Sequence, residues 1–467
     1  MGRRKQPMVN GVTITGLADK GRGVGRDEAG RVYFIKETAP GDVVNVQVLR
    51  KKKSYFEAIV TDYVTLSPQR VTPFCADFDF CGGCSFQHVS YALQLAEKER
   101  QVEDAFRRIG HIEPGEVQPI LGCPETVHYR NKLEFGFSCK KWLTREEIAS
   151  GISNEQDVLG LHPQKAFDKI LDLKTCHLQA DPSEAIRHAC KRIGIEQGLT
   201  FYDVMTHQGF LRQLVVRVFT TGQVLVVVGF GEDDAEKRKA YLDTLRRAVP
   251  EITSLQYFVN TKMNDFFLDL PIMVYDGPAQ VEEELGHVRF RVGPKSFFQT
   301  NTRQARRLYD IVVEYTGLTG TETVYDLYTG LGSIALYVAR SCSSIVGIEE
   351  VPAAIDDARE NATLNGITNA TFYAGDVKLV MDNDFMSKYG RPDVLITDPP
   401  RAGMHADVVE AIRRLAPPRI VYVSCNPSTQ ARDIALLGDG YRVVKCRAVD
   451  MFPHTHHVEN VALLEKI

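Results

Sequence analysis

The pattern of hydrophobic and polar positions divides the chain into three stretches. Residues 8–64 contain short runs rich in valine and isoleucine, separated by glycine turns, which predicts a small barrel of short strands. From about residue 295, strand-like apolar runs alternate with helical patterns, which predicts a doubly wound parallel sheet. Between them, strands and helices mix without a clear period. The sequence therefore predicts an α/β protein: a Rossmann-like domain, an OB-like β-barrel before it and a mixed α+β central domain.

We place the domains at residues 1–66, 67–290 and 291–467. Within the barrel, residues 21–26 (Gly-Arg-Gly-Val-Gly-Arg) are predicted to form a flexible, basic loop between two strands. Residues 91–109 are predicted to form a helix with Gly110 at its C-cap. In the central domain, two valine-rich runs flank Thr-Thr-Gly-Gln at residues 220–223 and predict a hairpin.

Composition is that of a soluble globular protein, with 44% hydrophobic and 25% charged residues in a chain of 467. No apolar run approaches the roughly 20 residues that span a membrane, and the start lacks the apolar core of a signal peptide. We expect a cytoplasmic protein without a membrane partner or an evident obligate protein partner. The net charge of −4 hides an asymmetry, because residues 1–60 hold 12 Lys or Arg and 6 Asp or Glu. A basic module on an acidic body indicates nucleic-acid contact at one end.

A glycine turn marks a candidate nucleotide site. Asp326-Leu-Tyr-Thr-Gly-Leu-Gly332 joins a predicted strand to a helix, and Glu349 ends the next strand, where an acid can hold ribose hydroxyls. The glycine spacing is not the full dinucleotide fingerprint, which argues against NAD, whereas the layout fits S-adenosylmethionine (SAM). Asp376, after the following strand, would lie near the adenine. Asp398-Pro-Pro-Arg ends another strand and is typical of methyltransferases, so we expect a class I SAM-dependent methyltransferase domain.

Residues 421–427, Val-Tyr-Val-Ser-Cys-Asn-Pro, predict a strand that runs into a turn and displays Cys425. A lone cysteine is most often structural. Beside a methyl donor, however, a thiolate can add to C6 of uracil and make C5 nucleophilic, provided that a base then removes the C5 proton. Glu459 is the candidate base. It follows His454, His456 and His457, which could also indicate a metal site.

With Cys425, Asp398 and Glu459 in this order, the chain resembles the RNA uracil-C5 methyltransferase family nearly end to end, and within it the 23S ribosomal RNA members. Phe298-Gln-Thr-Asn matches a further family motif. The barrel resembles the TRAM module, an OB-like RNA-binding domain. Ser333 stands where many members have Asn, and Thr329 where many have Cys. The resemblance implies that Cys425 is the nucleophile, that Glu459 accepts the proton, and that SAM is contacted by Gln299, Tyr328, Ser333, Glu349, Asp376 and Asp398.

Three cysteines have the spacing of a metal–thiolate site: Cys75-x5-Cys81-x2-Cys84. With Cys176 they could hold zinc or a 4Fe–4S cluster, and coordination chemistry alone does not choose between these. The family resemblance favours 4Fe–4S, with Cys176 as the fourth ligand. The other cysteines are predicted to be structural, namely Cys123, Cys139, Cys190, Cys342 and Cys446.

Three alternatives to a uracil-C5 methyltransferase of 23S ribosomal RNA remain: the first differs in its RNA target, and the other two differ in function. Transfer RNA uridine methylases share the catalytic half. An amino-N methyltransferase would need Asp398-Pro-Pro but has no use for Cys425. A non-catalytic RNA-binding assembly factor would keep the barrel and the cysteines, but it needs neither Cys425 nor Glu459.

Overall fold

The computed structural model describes residues 7–18, 21–163, 166–380 and 383–467. The N-terminal strands close into a barrel in the order β1-β2-β3-β5-β4, as predicted. Alternate side chains fill its interior, and Val12, Ile14, Val44 and Val46 are fully buried. The five strands are β1 (Met8–Ala18), β2 (Arg22–Arg26), β3 (Val32–Ile35), β4 (Val43–Lys51) and β5 (Phe56–Thr65).

The predicted flexible loop at residues 21–26 is wrong, because five of its six residues form β2 (Arg22–Arg26), which pairs with β1 and β3. Its glycines serve close packing rather than flexibility. A Cβ on Gly25 would lie 2.7 Å from Val12 Cγ1, and one on Gly23 would clash with the Thr38 hydroxyl. The alternating glycines therefore let the strand pass tightly over the barrel interior.

The predicted helix forms, but its end differs. Helix α1 (Tyr91–Ala105) starts at Ser90, whose hydroxyl accepts from the backbone N–H of Leu93 at 3.3 Å, and it continues into a π-helical turn at Phe106–Gly110. The left-handed residue is His111, with φ 52°, and not Gly110. Gly110 is needed for space, since a Cβ there would lie 3.0 Å from the Ala431 carbonyl oxygen. Strand β6 (Glu116–Leu121) follows.

The middle of the chain contains a six-stranded sheet in the order β12-β11-β10-β9-β7-β8. The predicted hairpin is confirmed, since β9 and β10 pair antiparallel across residues 219–223. A separate two-stranded sheet, β13-β14, leads to the C-terminal part. These elements are β7 (Lys132–Lys140), α2 (Arg145–Ala149), β8 (Glu155–Gly160), α3 (Ser183–Glu196), β9 (Leu211–Val218), β10 (Val224–Phe230), α4 (Ala235–Ala248), β11 (Ser254–Val259), β12 (Met273–Asp276), β13 (Val281–Leu285) and β14 (Val288–Val292).

The C-terminal part forms an eight-stranded sheet in the order β17-β16-β15-β18-β19-β21-β20-β6. Helices flank the sheet, and its elements are α5 (Thr302–Thr316), β15 (Thr323–Leu327), α6 (Ser333–Val338), β16 (Ser344–Glu349), α7 (Pro352–Leu364), β17 (Ala370–Ala374), α8 (Val377–Val380), α9 (Asn383–Tyr389), β18 (Val394–Thr397), α10 (Ala406–Leu415), β19 (Arg419–Ser424), α11 (Pro427–Leu437), β20 (Tyr441–Val449) and β21 (Glu459–Lys466).

Strands β15 to β19 are parallel, which confirms the predicted doubly wound core. The sheet as a whole is mixed, because β21 is antiparallel to β19, and β20 to β21. Strand β6, from the predicted central domain, completes the sheet parallel to β20. Along β19, Val421 and Val423 pack into one core, while Ile420 and Tyr422 pack into the core on the other face. Burial on both faces explains the unbroken apolar run.

In the part of the chain that the structure describes, no helix is both long and apolar enough to cross a membrane.

Candidate active site

The predicted catalytic residues meet at one edge of the eight-stranded sheet. Asp398 directly follows β18, and Cys425 directly follows β19. Glu459 begins β21, which runs antiparallel to β19 and pairs Asn460 with Ser424. The start of β21 therefore lies beside the end of β19, at the carboxyl edge where ligands bind in such sheets.

The glycine turn after β15 has three residues in the left-handed region: Tyr328 with φ 63°, Gly330 with φ 56° and Gly332 with φ 83°. A Cβ on Gly332 would lie 3.1 Å from the ring of Phe372, whereas one on Gly330 would point into open space. Glu349 accepts a hydrogen bond from the Gly330 N–H at 3.2 Å and another from the Val351 N–H at 3.0 Å. The turn thus leaves room for a ligand beside a carboxylate held in place, which fits a nucleoside.

Asp326, near the end of β15, is a buried acid of the site that the sequence motif alone did not single out. One carboxylate oxygen accepts from the Thr329 hydroxyl at 2.5 Å, and the other is buried with no hydrogen-bond partner among the described residues. Burial raises the pKa of Asp326 to about 7. An unpaired acceptor beneath the turn is costly unless something donates to it. The sequence signal was the acid at the strand end, but its buried state depends on neighbouring elements.

Cys425 is half-buried in the turn between β19 and α11. Burial raises the pKa of its thiol to about 12, and the carboxylates of Glu459 and Asp398 add to this, while Arg401 opposes it. Asn426 caps α11 by accepting from the Ser428 N–H at 3.2 Å, and its amide donates to the Arg401 carbonyl at 3.1 Å. The thiol therefore lies at a helix N-terminus, which favours a negative charge, and its turn is tied to the loop after β18.

Glu459 and Asp398 are both shifted toward their protonated forms. Burial, and then the charge of Asp398, raise the pKa of Glu459 to about 8, while Arg401 opposes the shift. Burial raises the pKa of Asp398 to about 7. The Glu459 side chain is buried, with 5% of the residue exposed. A desolvated carboxyl group with a pKa near neutrality is suited to take up and return a proton.

The other predicted SAM contacts lie around this edge. Asp376 follows β17 and accepts from the Lys378 N–H at 3.1 Å. Ser333 begins α6 directly after Gly332, and its hydroxyl lies 2.8 Å from the Tyr309 hydroxyl. Gln299 is half-buried just before α5, and its carbonyl accepts from the Asn131 amide at 2.8 Å.

The four predicted ligand cysteines line one cavity of about 390 Å³. Burial and the neighbouring sulfurs raise the pKa of Cys81 to about 11, and burial and those sulfurs raise the pKa of Cys84 to about 12. Among the described residues, however, no three His, Cys, Asp or Glu side chains are arranged to hold a metal ion. The four thiols line one cavity but are not arranged as metal ligands. In the described part of the chain, the three histidines before Glu459 are not arranged as metal ligands either.

Comparison with known proteins agrees with this geometry. The family models for tRNA (Uracil-5-)-methyltransferase and for the TRAM domain match residues 279–467 and 9–61. An uncharacterized RNA methyltransferase of Porphyromonas gingivalis is 50% identical over 97% of this chain and 98% of its own length. One from Chlorobaculum tepidum is 39% identical over 97% of this chain and 96% of its own.

A solved structure covers nearly the whole chain. The Pyrococcus abyssi tRNA (uracil-54, C5)-methyltransferase in complex with S-adenosyl-L-homocysteine superposes with a TM-score of 0.74 and 29% identity, over 98% of this chain and 100% of that one. Its ligand is the product that SAM leaves after methyl transfer, which supports SAM as the methyl donor here. The barrel, the sheet and these full-length relatives lead to one conclusion: the chain belongs to the RNA uracil-5-methyltransferase family.

Proposed function

We propose that this protein methylates C5 of a uridine in RNA through a covalent adduct between Cys425 and C6 of the uracil. One observation carries the proposal: a thiol, a candidate base and the Asp398 carboxylate converge at the sheet edge next to the glycine turn. An amino-N methyltransferase would not need Cys425 at this place. An RNA-binding assembly factor would need neither Cys425 nor a buried Glu459.

In the first half of the reaction, the Cys425 thiolate forms a bond from Sγ to C6, and the C5–C6 π electrons move into an enolate. C5 then forms a bond to the methyl carbon, and the sulfonium sulfur keeps the electron pair of the broken bond. The thiol must ionise for this step, although burial raises its pKa to about 12. A cationic methyl donor beside Asp398 would lower the pKa of Cys425 by offsetting the two carboxylates.

In the second half, the Glu459 carboxylate accepts the proton from C5. The electrons of that C–H bond re-form the C5–C6 double bond, and the bond to Cys425 breaks, which returns the thiolate. Glu459 must be ionised to act, and its pKa of about 8 leaves a substantial ionised fraction at mildly alkaline pH. The target uracil must reach the carboxyl edge of the sheet. We therefore expect the uridine to be flipped out of a helix or to lie in a single-stranded loop.

SAM supplies the electrophilic methyl group when bound. We propose that Glu349 holds its ribose hydroxyls and that Asp376 lies near its adenine. Gln299, Tyr328, Ser333 and Asp398 complete the contacts. What supports this is the open space over Gly330 and the fixed Glu349 carboxylate.

We propose that Cys75, Cys81, Cys84 and Cys176 hold a 4Fe–4S cluster. Support comes from four thiols around one cavity, and the methyl transfer itself moves no electrons, so the role is structural. Anaerobic purification should give brown protein with about four irons and four sulfides per chain. Colourless protein with zinc would contradict the proposal.

For the substrate we propose 23S ribosomal RNA, bound partly by the barrel. We also propose domains at 1–66, 67–290 and 291–467, with β6 of the second lying in the sheet of the third. Transfer RNA is a second candidate, because the Pyrococcus abyssi tRNA enzyme resembles the whole chain, barrel included. The shared architecture therefore does not separate the two targets.

The test uses SAM with a labelled methyl group and two RNAs, 23S transcripts and unmodified tRNA, followed by nucleoside analysis. We expect 5-methyluridine in the ribosomal transcripts. Methylation of tRNA alone would overturn the target, and methylation at another position or base would overturn the function. In Glu459→Gln, the methylated adduct should accumulate on ordinary uridine, because no base removes the C5 proton. Rapid turnover by that variant would remove Glu459 as the base.

A further inference from the structure

The segment that leads into Glu459 is held by a distant part of the chain. We call residues 450–458, between β20 and β21, the catalytic loop. At its start, Asp450 pairs with Lys98 of α1 at 2.6 Å, with both side chains fully buried. Tyr91 donates to the same carboxylate at 2.8 Å, and Lys98 donates to the Phe452 carbonyl at 3.1 Å. The loop conformation therefore depends on α1, which follows residues 74–89, the stretch with Cys75, Cys81 and Cys84 that we call the cysteine segment.

His454 has a constrained backbone in the middle of the catalytic loop. It has φ 64°, in the left-handed region that disfavours a residue with a side chain. Its N–H donates to the Gln94 side chain at 2.9 Å, and its carbonyl accepts from the N–H groups of Ser85 and Phe86 at 2.8 and 2.9 Å. Partners outside the loop thus hold both backbone polar groups and fix this unfavourable conformation.

Gln94 joins the cysteine segment to the catalytic loop. Its amide donates to the Phe86 and Val89 carbonyls at 3.1 and 3.2 Å and reaches the His454 ring at 3.2 Å. The side chain is fully buried, and its carbonyl oxygen accepts from His454. The same few atoms therefore hold the chain just after Cys84 and the chain just before Glu459.

Phe74 makes a second connection between the same two regions. Its ring, next to Cys75, contacts the ring of His454 edge-on at 5.0 Å and the ring of His177, next to Cys176, at 5.4 Å. Arg130, which lines the cysteine cavity, lies over the ring of Phe452 at 5.4 Å. Phe74 and Arg130 thus both pack against the catalytic loop.

We propose that Gln94 and Phe74 are positioning residues, which place Glu459 for removal of the C5 proton by holding the catalytic loop against the cysteine segment. The inference rests on the proposed role of Glu459. Cys425 and Asp398 follow parallel strands of the sheet, so loosening the loop should spare thiol addition and methyl transfer. Proton removal, which breaks the C5–H bond and returns the Cys425 thiolate, should slow.

The test is Gln94→Leu, which keeps the side-chain volume and removes the hydrogen bonds. Single turnovers use RNA tritiated at uridine C5 and SAM with a ¹⁴C methyl group. We expect tritium release to slow about tenfold or more, because a small displacement of a catalytic group costs this much. Methyl transfer should stay within about twofold of wild type, so an SDS-resistant methylated adduct accumulates. Gln197→Leu, a matched change that removes bonds between α3 and α4, should behave as wild type.

Equal slowing of both steps, without adduct, would overturn the proposal and leave Gln94 a purely structural role. If Gln94→Leu does not fold, the same two rates are measured in Phe74→Leu, with the same expected results. Phe74 is 44% exposed, so its replacement disturbs the fold less. Measurements on Glu459→Gln separate the positioning proposal from the proposed role of Glu459 as the base. Adduct in Glu459→Gln but not in Gln94→Leu or Phe74→Leu overturns only the positioning, whereas no adduct in Glu459→Gln overturns the base itself.

Discussion

At the residue scale, the site brings together three acidic groups, and the charge of Arg401 acts on two of them. Cys425, Asp398 and Glu459 are all shifted toward their protonated forms, first by burial, and the two carboxylates raise the pKa of the thiol further. Arg401 is the nearby charge that opposes the shift at Cys425 and Glu459. Such groups titrate together, so a pH profile of the overall reaction reports the set, and the role of Glu459 is tested on the proton-removal step alone.

The raised pKa of Glu459 gives a pH dependence with a definite sign. Because this pKa is about 8, Glu459 is mostly protonated at pH 6.5 and cannot accept the C5 proton. We expect the rate of tritium release from uridine C5 to rise about 25-fold between pH 6.5 and 8.5, in proportion to the ionised fraction of Glu459. At the acidic end, covalent adduct should persist. A flat profile, measured in single turnovers with saturating SAM, would contradict this role for Glu459.

At the element scale, helix α11 begins two residues after Cys425, the proposed nucleophile. Asn426 caps the helix and ties it to the Arg401 carbonyl. We expect Asn426→Ala to lower the free energy of unfolding by about 1 kcal/mol, and also to slow formation of the Cys425 adduct about tenfold. Urea unfolding and adduct formation measure the two effects.

Asp234→Ala is the matched control, because Asp234 caps α4 by accepting from the Lys237 N–H at 3.0 Å, far along the chain from the sheet edge. It should lose similar stability and keep normal adduct formation. If both variants slow the adduct equally, the effect comes from general destabilisation and not from the turn at Cys425.

Elements with a strong local signal could be predicted from sequence, and those that depend on distant contacts could not. Strand β19 is a continuous apolar run that ends at the turn predicted from the Asn-Pro after Cys425, where the structure begins α11. Strand β2 was missed, because its glycines indicate flexibility until the barrel interior shows why they are small. The place of β6 was missed because its partner β20 lies more than 300 residues away.

At the scale of the whole molecule, α1 connects the cysteine segment to the eight-stranded sheet. The fully buried Lys98–Asp450 pair joins residues 352 positions apart, which no local pattern reveals. Glu459 could be proposed as a base from its motif, but the contacts of Gln94 and Lys98 with the catalytic loop could not be predicted. These contacts exist only once β6, α1 and the catalytic loop have come together.

The buried ion pair yields a stability prediction. Lys98→Met leaves Asp450 buried without its cation, so we expect the free energy of unfolding to fall by about 3–5 kcal/mol. The double change Lys98→Met with Asp450→Leu should recover much of the loss, because no unpaired charge remains. Urea unfolding measures both. A single variant as stable as the wild type would show that the pair does not hold the catalytic loop.

The covalent role of Cys425 is tested most directly with RNA that contains 5-fluorouridine, in the presence of SAM. Glu459 cannot remove fluorine as a proton, so the adduct cannot resolve. Wild type and Cys446→Ala, which changes a buried cysteine of β20, should give an SDS-stable RNA–protein band, and Cys425→Ala should give none. A band that persists in Cys425→Ala, or no band in the wild type, would contradict the proposed mechanism.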